Sequence, residues 1–140
     1  MTEHSLVQTL RRNLHAHPVP AEGADAAVLI AIFCADEPEV LLTRRPAHMK
    51  SHAGEVAFPG GKREPADPHL TVTALRESEE EVALPRASVE VIGALKPARA
   101  KSGIRVLPVV GLVHGEPDIV GNPEEVESLF RVPLRFFFEP

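Results

Sequence analysis

Hydrophobic residues recur along this chain with two different periods. In SLVQTLRRNL (5–14), Leu6, Leu10 and Leu14 fall every fourth position, which lines them up on one stripe of a short amphipathic helix. HPVPAEG (17–23) breaks the pattern and reads as a loop. AAVLIAIFCA (26–35) is a continuous apolar run and EVLLTRR (39–45) a second. The turn-like ADEP between them predicts two paired strands. GEVAFP (54–59) predicts a third short strand that ends in a turn at Pro59, Gly60 and Gly61. Asp67 followed by Pro68 reads as a helix start, an Asp N-cap with Pro at the first helical position. That helix should run to about Ala83, and Pro85 stops it. SVEVIGAL (88–95) and IRVLPVVGLV (104–113) predict further strands, joined by the loop PARAKSG (97–103). NPEEV (122–126) reads as a turn or short helix start, and SLFRVP (128–133) as a last strand. Strands gathered around one long central helix predict a mixed α/β (α+β) sheet covered by helices. The length of 140 residues fits a single domain, residues 1–140, with one core.

Composition narrows the partners. With 44% hydrophobic and 25% charged residues the chain is ordinary for a globular protein, but its net charge of -5 argues against nucleic acid or an anionic membrane as a partner. The apolar run at 26–35 is too short to cross a bilayer. MTEHSLVQTLRR has neither an apolar h-region nor a cleavage site, so a cytoplasmic protein is expected. The single cysteine, Cys34, cannot form an internal disulfide. Its place in an apolar strand predicts a small buried side chain.

The predicted central helix carries Glu77, Glu79, Glu80 and Glu81 in its last turns, with Arg76 as the nearest cation. Like charges at this spacing repel, and the C-terminal end of the helix dipole is already negative. At about 100° per residue, Glu77, Glu80 and Glu81 span an arc of roughly 100°. Glu77 and Glu81 share their stripe with the apolar Leu70, Ala74 and Leu84, whereas Glu79 points nearly the other way. Carboxylates crowded against a packed face need protons, arginines or a metal ion. Mg²⁺ or Mn²⁺, which prefer oxygen ligands, would suit them. A solvated acidic helix end is the plainer alternative. Gly60 and Gly61, upstream of the helix, allow close backbone approach and offer a carbonyl oxygen as a further hard ligand.

Taken together these residues resemble the Nudix hydrolase signature, Gly-x5-Glu-x7-Arg-Glu-U-x-Glu-Glu-x-Gly-U, where U is a bulky aliphatic residue. Gly61 opens the motif, and Arg76, Glu77, Glu80, Glu81 and Leu84 fill their places. Asp67 stands where the family has Glu, and the interval from Asp67 to Arg76 is one residue longer. Ser78 replaces an aliphatic residue. Ala83 replaces Gly, a change of little consequence provided the backbone there stays helical. Upstream, LLTRRPAHMKSHAGEVAFPGG (41–61) resembles the coenzyme A pyrophosphatase signature, LLT-x-R-S-x3-R-x3-G-x3-FPGG. Leu41, Leu42, Thr43, Arg45, Gly54, Phe58, Pro59, Gly60 and Gly61 match it in register. Pro46 stands in for Ser, and Lys50 for Arg, which keeps the charge but loses the planar fork that grips phosphate.

The resemblance implies a Nudix-like mixed sheet sandwiched between helices, with a C-terminal part that looks shortened; a homodimer would cover the exposed edge. It also implies metal-dependent hydrolysis of coenzyme A to 3′,5′-ADP and 4′-phosphopantetheine. Glu77, Glu81, Glu80 and the Gly61 carbonyl are the implied metal ligands, and Arg76 would orient one of the glutamates. Glu77, Glu80 and Glu125 are the candidates for the base that takes a proton from water, with Glu80 first among them. Arg45, Lys50, Phe58 and Gly60 are the implied substrate contacts. Two other readings stay open: a Nudix hydrolase acting on ADP-ribose or a dinucleotide, and a nucleotide-binding module without turnover.

Overall fold

The computed structural model describes residues 3–14, 24–49 and 53–138. The long apolar run forms β1 (Ala26–Phe33), buried because both of its faces are covered. Strand β2 (Glu39–Arg44) turns back beside it, pairing Ile32 with Val40. Beyond Val40 the two strands part. β2 takes β3 (Val56–Ala57) as its neighbour, while the start of β1 takes β4 (Gly60–Lys62), with Val28 opposite Gly60. Phe58 and Pro59 therefore span an opening in the sheet between β3 and β4.

After helix α2 (Leu70–Val82) come β5 (Val89–Ala94), β6 (Ala98–Arg99) and β7 (Arg105–Val113). β7 runs parallel to β1 along its whole length, from Ala26 opposite Val106 to Phe33 opposite Val113, and pairs antiparallel with β5 and β6. β8 (Ser128–Pro133) closes the far side of β2. The sheet is thus mixed, with the order β3-β2-β1-β7-β5 along its main path.

Alternate residues face opposite layers. Ala27, Leu29, Ala31 and Phe33 join Leu107 and Val109 against Leu70, Ala74 and Val82 of α2 and against Leu84 just past it. On the other side Ile32, Val110 and Leu112 meet Val7, Leu6 and Leu10 of helix α1 (Ser5–Asn13). Fully burying each of the larger aliphatics contributes roughly 1.5–3 kcal/mol, so α2 is fixed to the sheet by Leu70, Val82 and Leu84. Among the described residues no helix is long and apolar enough to cross a membrane.

The structure corrects several expectations. Gly60 and Gly61 form a strand rather than a turn, because β1 offers free ladder groups at Ala26–Val28. A side chain at Gly60 would lie 2.3 Å from the Ala27 carbonyl oxygen, so only glycine permits this pairing. Helix α2 begins at Leu70 with His69 at the cap position. Asp67 is not the N-cap, because its carboxylate is held elsewhere, and Pro68 lies in the bend before the helix. Ala83 does not stay helical; at φ 57° and ψ 29° it is the left-handed residue that ends α2, with its N–H on the Glu79 carbonyl. Cys34 sits just past the end of β1 and is exposed. Ala98 and Arg99, expected in a loop, pair with the start of β7. Lys50, His52, His15 and His17 lie outside the described residues.

Candidate active site

The four glutamates near the end of α2 meet four different surroundings. Glu79 turns away from the rest to Arg86, whose Nε and Nη2 donate to it at 3.0 and 2.8 Å, and these bonds hold its carboxyl below the usual range. Glu80 is exposed and accepts from Arg76 Nη1 at 3.3 Å. Glu77 accepts from the same nitrogen at 3.1 Å, yet burial outweighs that bond and raises its carboxyl. Glu81 meets a backbone donor. Its Oε2 accepts from the Gly60 N–H at 3.3 Å, and burial pushes its carboxyl up to about 8. The Gly60 bond and the charge of Arg45 oppose that rise, while Glu77 and Glu125 add to it.

Strand β4 supplies the other wall. Leu29 N–H bonds the Pro59 carbonyl and Arg63 N–H the Asp25 carbonyl. By the alternation of an antiparallel ladder, Gly61 bonds back to Ala27, whereas Gly60 and Lys62 turn their polar groups outward. The Gly60 N–H thus reaches Glu81, and the Lys62 carbonyl accepts from Arg76 Nη2 at 3.3 Å. Gly61 enters the site through its bare Cα: a side chain there would lie 2.6 Å from the Glu77 carboxyl carbon. Its carbonyl, expected as a metal ligand, faces β1.

Beyond the helix, the N–H groups of Val120 and Asn122 satisfy the carbonyls of Val82 and Glu81 at 2.9 and 2.7 Å. This folds the 119–127 segment over the end of α2 and sets Glu125 near enough to raise both Glu77 and Glu81. Arg45 is held by backbone bonds between its N–H and Glu55 and between its carbonyl and Gly54, and its charge is felt at Glu81. Phe58 goes elsewhere. It is half-buried in the α1-side cluster, with its ring centroid 6.2 Å from that of Phe137. His48 is exposed.

Asp67 and Thr73 were missed as site residues. Asp67 is 2% exposed, and its carboxylate accepts from Arg76 Nε at 3.0 Å and Nη2 at 2.9 Å, from Thr73 Oγ1 at 2.8 Å and from the Glu64 N–H at 3.0 Å. The signal was the mismatch at position 67 itself, an acid whose partner lies nine residues on and is invisible to helical spacing.

Among the described residues no three His, Cys, Asp or Glu side chains already form a metal cage. The donor chemistry nevertheless fits a hard divalent cation. Glu77 and Glu81 are carboxylates that burial drives towards protonation, with Glu80 and Glu125 close by, and Arg76 is the charge that directly bonds Glu77.

The NUDIX domain family matches residues 24–137. Nudix hydrolase NudL of Yersinia pestis (strain Pestoides F) is 53% identical over 120 residues, which cover 86% of this chain and 60% of that protein; its Yersinia pseudotuberculosis counterpart matches equally. The chain therefore aligns with less than two thirds of these curated relatives. Among solved structures, a C. elegans Ap4A hydrolase complex has a TM-score of 0.68 at 18% identity, covering 79% of this chain and 80% of that one. The NUDIX domain of Shewanella oneidensis NrtR, complexed with ADP ribose, has 0.59 at 20% identity, covering 99% and 87%. These two likenesses concern the fold.

Proposed function

The chain belongs to the NUDIX family, and from that premise we propose that it hydrolyses the diphosphate of coenzyme A or its derivatives. The products would be 3′,5′-ADP and 4′-phosphopantetheine. One observation carries the reading: the two motifs, which share Gly61 in sequence, also meet in space at the glutamates of α2. The end of the 41–61 segment, as β4, lays Gly60 on Glu81 and Gly61 against Glu77. The resemblance of that segment to the coenzyme A pyrophosphatase signature supports the choice of substrate.

In this reading Glu77 and Glu81 hold Mg²⁺ or Mn²⁺, with Glu80 or Glu125 completing the oxygen donors. The cation, when bound, offsets the charge of the diphosphate and acidifies water. Arg76 fixes Glu77 through Nη1. Glu80, the exposed member, accepts the proton of the attacking water. Arg45 and Lys50 contact phosphate oxygens as cations. The protein works in the cytoplasm, and a homodimer covers the exposed Phe136, Phe137 and Phe138.

Mass spectrometry of coenzyme A incubated with the protein and Mn²⁺ in ¹⁸O-water tests the activity. The label should appear in one of the two named products. If ADP-ribose or diadenosine tetraphosphate is cleaved with the higher kcat/KM, the substrate assignment fails. Metal-dependent nucleotide binding without any product would make the chain a binding module. Sedimentation at micromolar concentration checks the dimer, and a monomer would refute it.

A further inference from the structure

We infer that the β6–β7 hairpin is a binding site for a phosphate group, with Arg99 and Arg105 as its two prongs. From Val91 to Gly115 the chain has no Asp or Glu, yet it carries Lys96, Arg99, Lys101 and Arg105, in a protein whose net charge is -5. Folding concentrates that charge further. Arg99 and Arg105 are direct partners in the antiparallel pairing of β6 with β7. The Ala100 N–H donates to the Ile104 carbonyl at 2.8 Å, and the Arg105 carbonyl turns away from β6 to accept from the Asp25 N–H at 2.9 Å. The alternation of the ladder therefore makes 99 and 105 a non-hydrogen-bonded pair, the kind with Cα atoms about 4.5 Å apart and side chains close together. Like charges directly opposite one another on a sheet repel and call for a counter-charge.

Among the described residues the protein supplies none. Arg99 Nη1 donates to the Gly103 carbonyl at 2.9 Å, which seats the guanidinium on the turn and leaves its Nε–Nη2 edge without an acceptor. That edge is the one that grips two oxygens of an anion through parallel bonds. Arg105 is half-buried, and neither its guanidinium nor the exposed ammonium groups of Lys96 and Lys101 meet a described carboxylate. Asp25, just before β1, bonds Arg105 and Arg63 through its backbone alone. The turn itself is well made: Gly103, at φ 90°, donates its N–H to the Ala100 carbonyl at 2.9 Å, so the prongs stand on a fixed frame. A phosphate group suits this arrangement, because its several charged oxygens can occupy a fork and a second cation at once. Among the described residues β6 pairs with β7 alone, and edge strands also carry cations merely to discourage pairing with another chain. That role needs charge only. Two guanidiniums directly opposed, one with its fork open, add a geometry that fits phosphate oxygens.

The site does not depend on the hydrolase reading, so its test is run in EDTA, where no turnover is expected. Full-chain wild type, Arg99→Lys, Arg105→Gln and Arg12→Gln are titrated with inorganic phosphate and, separately, with 3′,5′-ADP. Sodium chloride holds the ionic strength constant, and ¹⁵N NMR follows the Gly103 amide and the Arg99 Nε–H. In wild type both resonances should move and saturate. Arg105→Gln should weaken binding by roughly ten- to a hundredfold. Arg99→Lys, which keeps the charge but loses the fork, should weaken it by about tenfold. Arg12→Gln removes the same charge from α1 and should bind as wild type does. Equal affinity for the two ligands upholds a site for the phosphate group alone, and tighter binding of 3′,5′-ADP upholds one for a nucleotide's phosphate. Wild-type resonances unmoved by either ligand overturn the proposal. So does an Arg99→Lys variant that binds undiminished, which would leave only a guarded edge. An Arg12→Gln variant that loses as much as Arg105→Gln overturns it too, since diffuse charge would then suffice.

Discussion

Replacing Glu81 with Gln separates charge from shape at the most burdened carboxylate of the site. Burial lifts its carboxyl from 4.5 to about 8. A group whose folded value is raised binds its proton more tightly when folded. Its stabilisation is therefore fully present below about 4.5 and is lost as the pH rises through about 8. At about 1.4 kcal/mol for each pH unit, the ceiling on that loss is about 5 kcal/mol. The Gly60 N–H and partial contact with water reduce it, leaving about 2–4 kcal/mol as the working figure. Gln keeps an oxygen for Gly60 and carries no charge. In EDTA near pH 9, Glu81→Gln should thus be more stable than wild type by about 2–4 kcal/mol, or about 6–12 °C in Tm for a chain of this size. Near pH 5 the two should nearly coincide. Saturating Mn²⁺ should erase or reverse the gain, because only the wild-type carboxylate gains from the cation. Urea unfolding followed by circular dichroism, at both pH values with and without Mn²⁺, measures all of this. No stabilisation near pH 9 in EDTA would refute the claim that burial burdens Glu81. An undiminished gain in Mn²⁺ would refute the cation site.

Other substitutions test other links of the argument. Ala83→Gly should relieve a left-handed alanine worth about 1–2 kcal/mol, less the entropy of a freer unfolded chain, for a net gain of about 0.5–1 kcal/mol by thermal melting. An unchanged or lower Tm would mean that the end of α2 is not strained. Gly61→Ala places a methyl against Glu77 and should lower kcat by about a hundredfold, with a stability loss of only about 1 kcal/mol; ordinary turnover would exclude the close contact. The bonds from Arg76 hold the Asp67 carboxyl well below its ordinary 3.8, so its stabilisation is present above that pH and fades as the pH falls beneath it. Asp67→Asn should therefore cost about 2–4 kcal/mol at pH 7 and progressively less in acid. A gap that does not narrow below about pH 3.8 in acid-titrated unfolding would contradict this.

Much of the fold could be read from pattern alone, because strand burial and helical stripes repeat with the chain's own periods. The run at 26–35, the paired strands around ADEP, the central helix and the strands near 89–94 and 105–113 all stand where hydrophobicity put them. The burial of two carboxylates was legible too, because Glu77 and Glu81 share a stripe with core residues. What failed was local chemistry read without its tertiary partners. Asp67–Pro68 has the look of a helix start, and Gly60–Gly61 that of a turn. Each is decided by groups distant in sequence: Arg76 and Thr73 for the acid, the open ladder of β1 for the glycines. Ala83 shows the same limit from the other side: the Gly that the signature has there, and not the alanine itself, signalled the positive φ.

By itself, then, the sequence determined which residues would be apolar on one face and which acids would be pressed against it, because side-chain transfer energies and helical spacing are local properties. Only the tertiary structure decided which of those acids is compensated. Arg86 takes Glu79, Asp67 takes the edge of Arg76, and Glu81 meets the Gly60 N–H of β4 and the charge of Arg45. The physical reason is that a charge is balanced through space, by whatever the fold carries within a few ångströms, and no spacing along the chain encodes that distance.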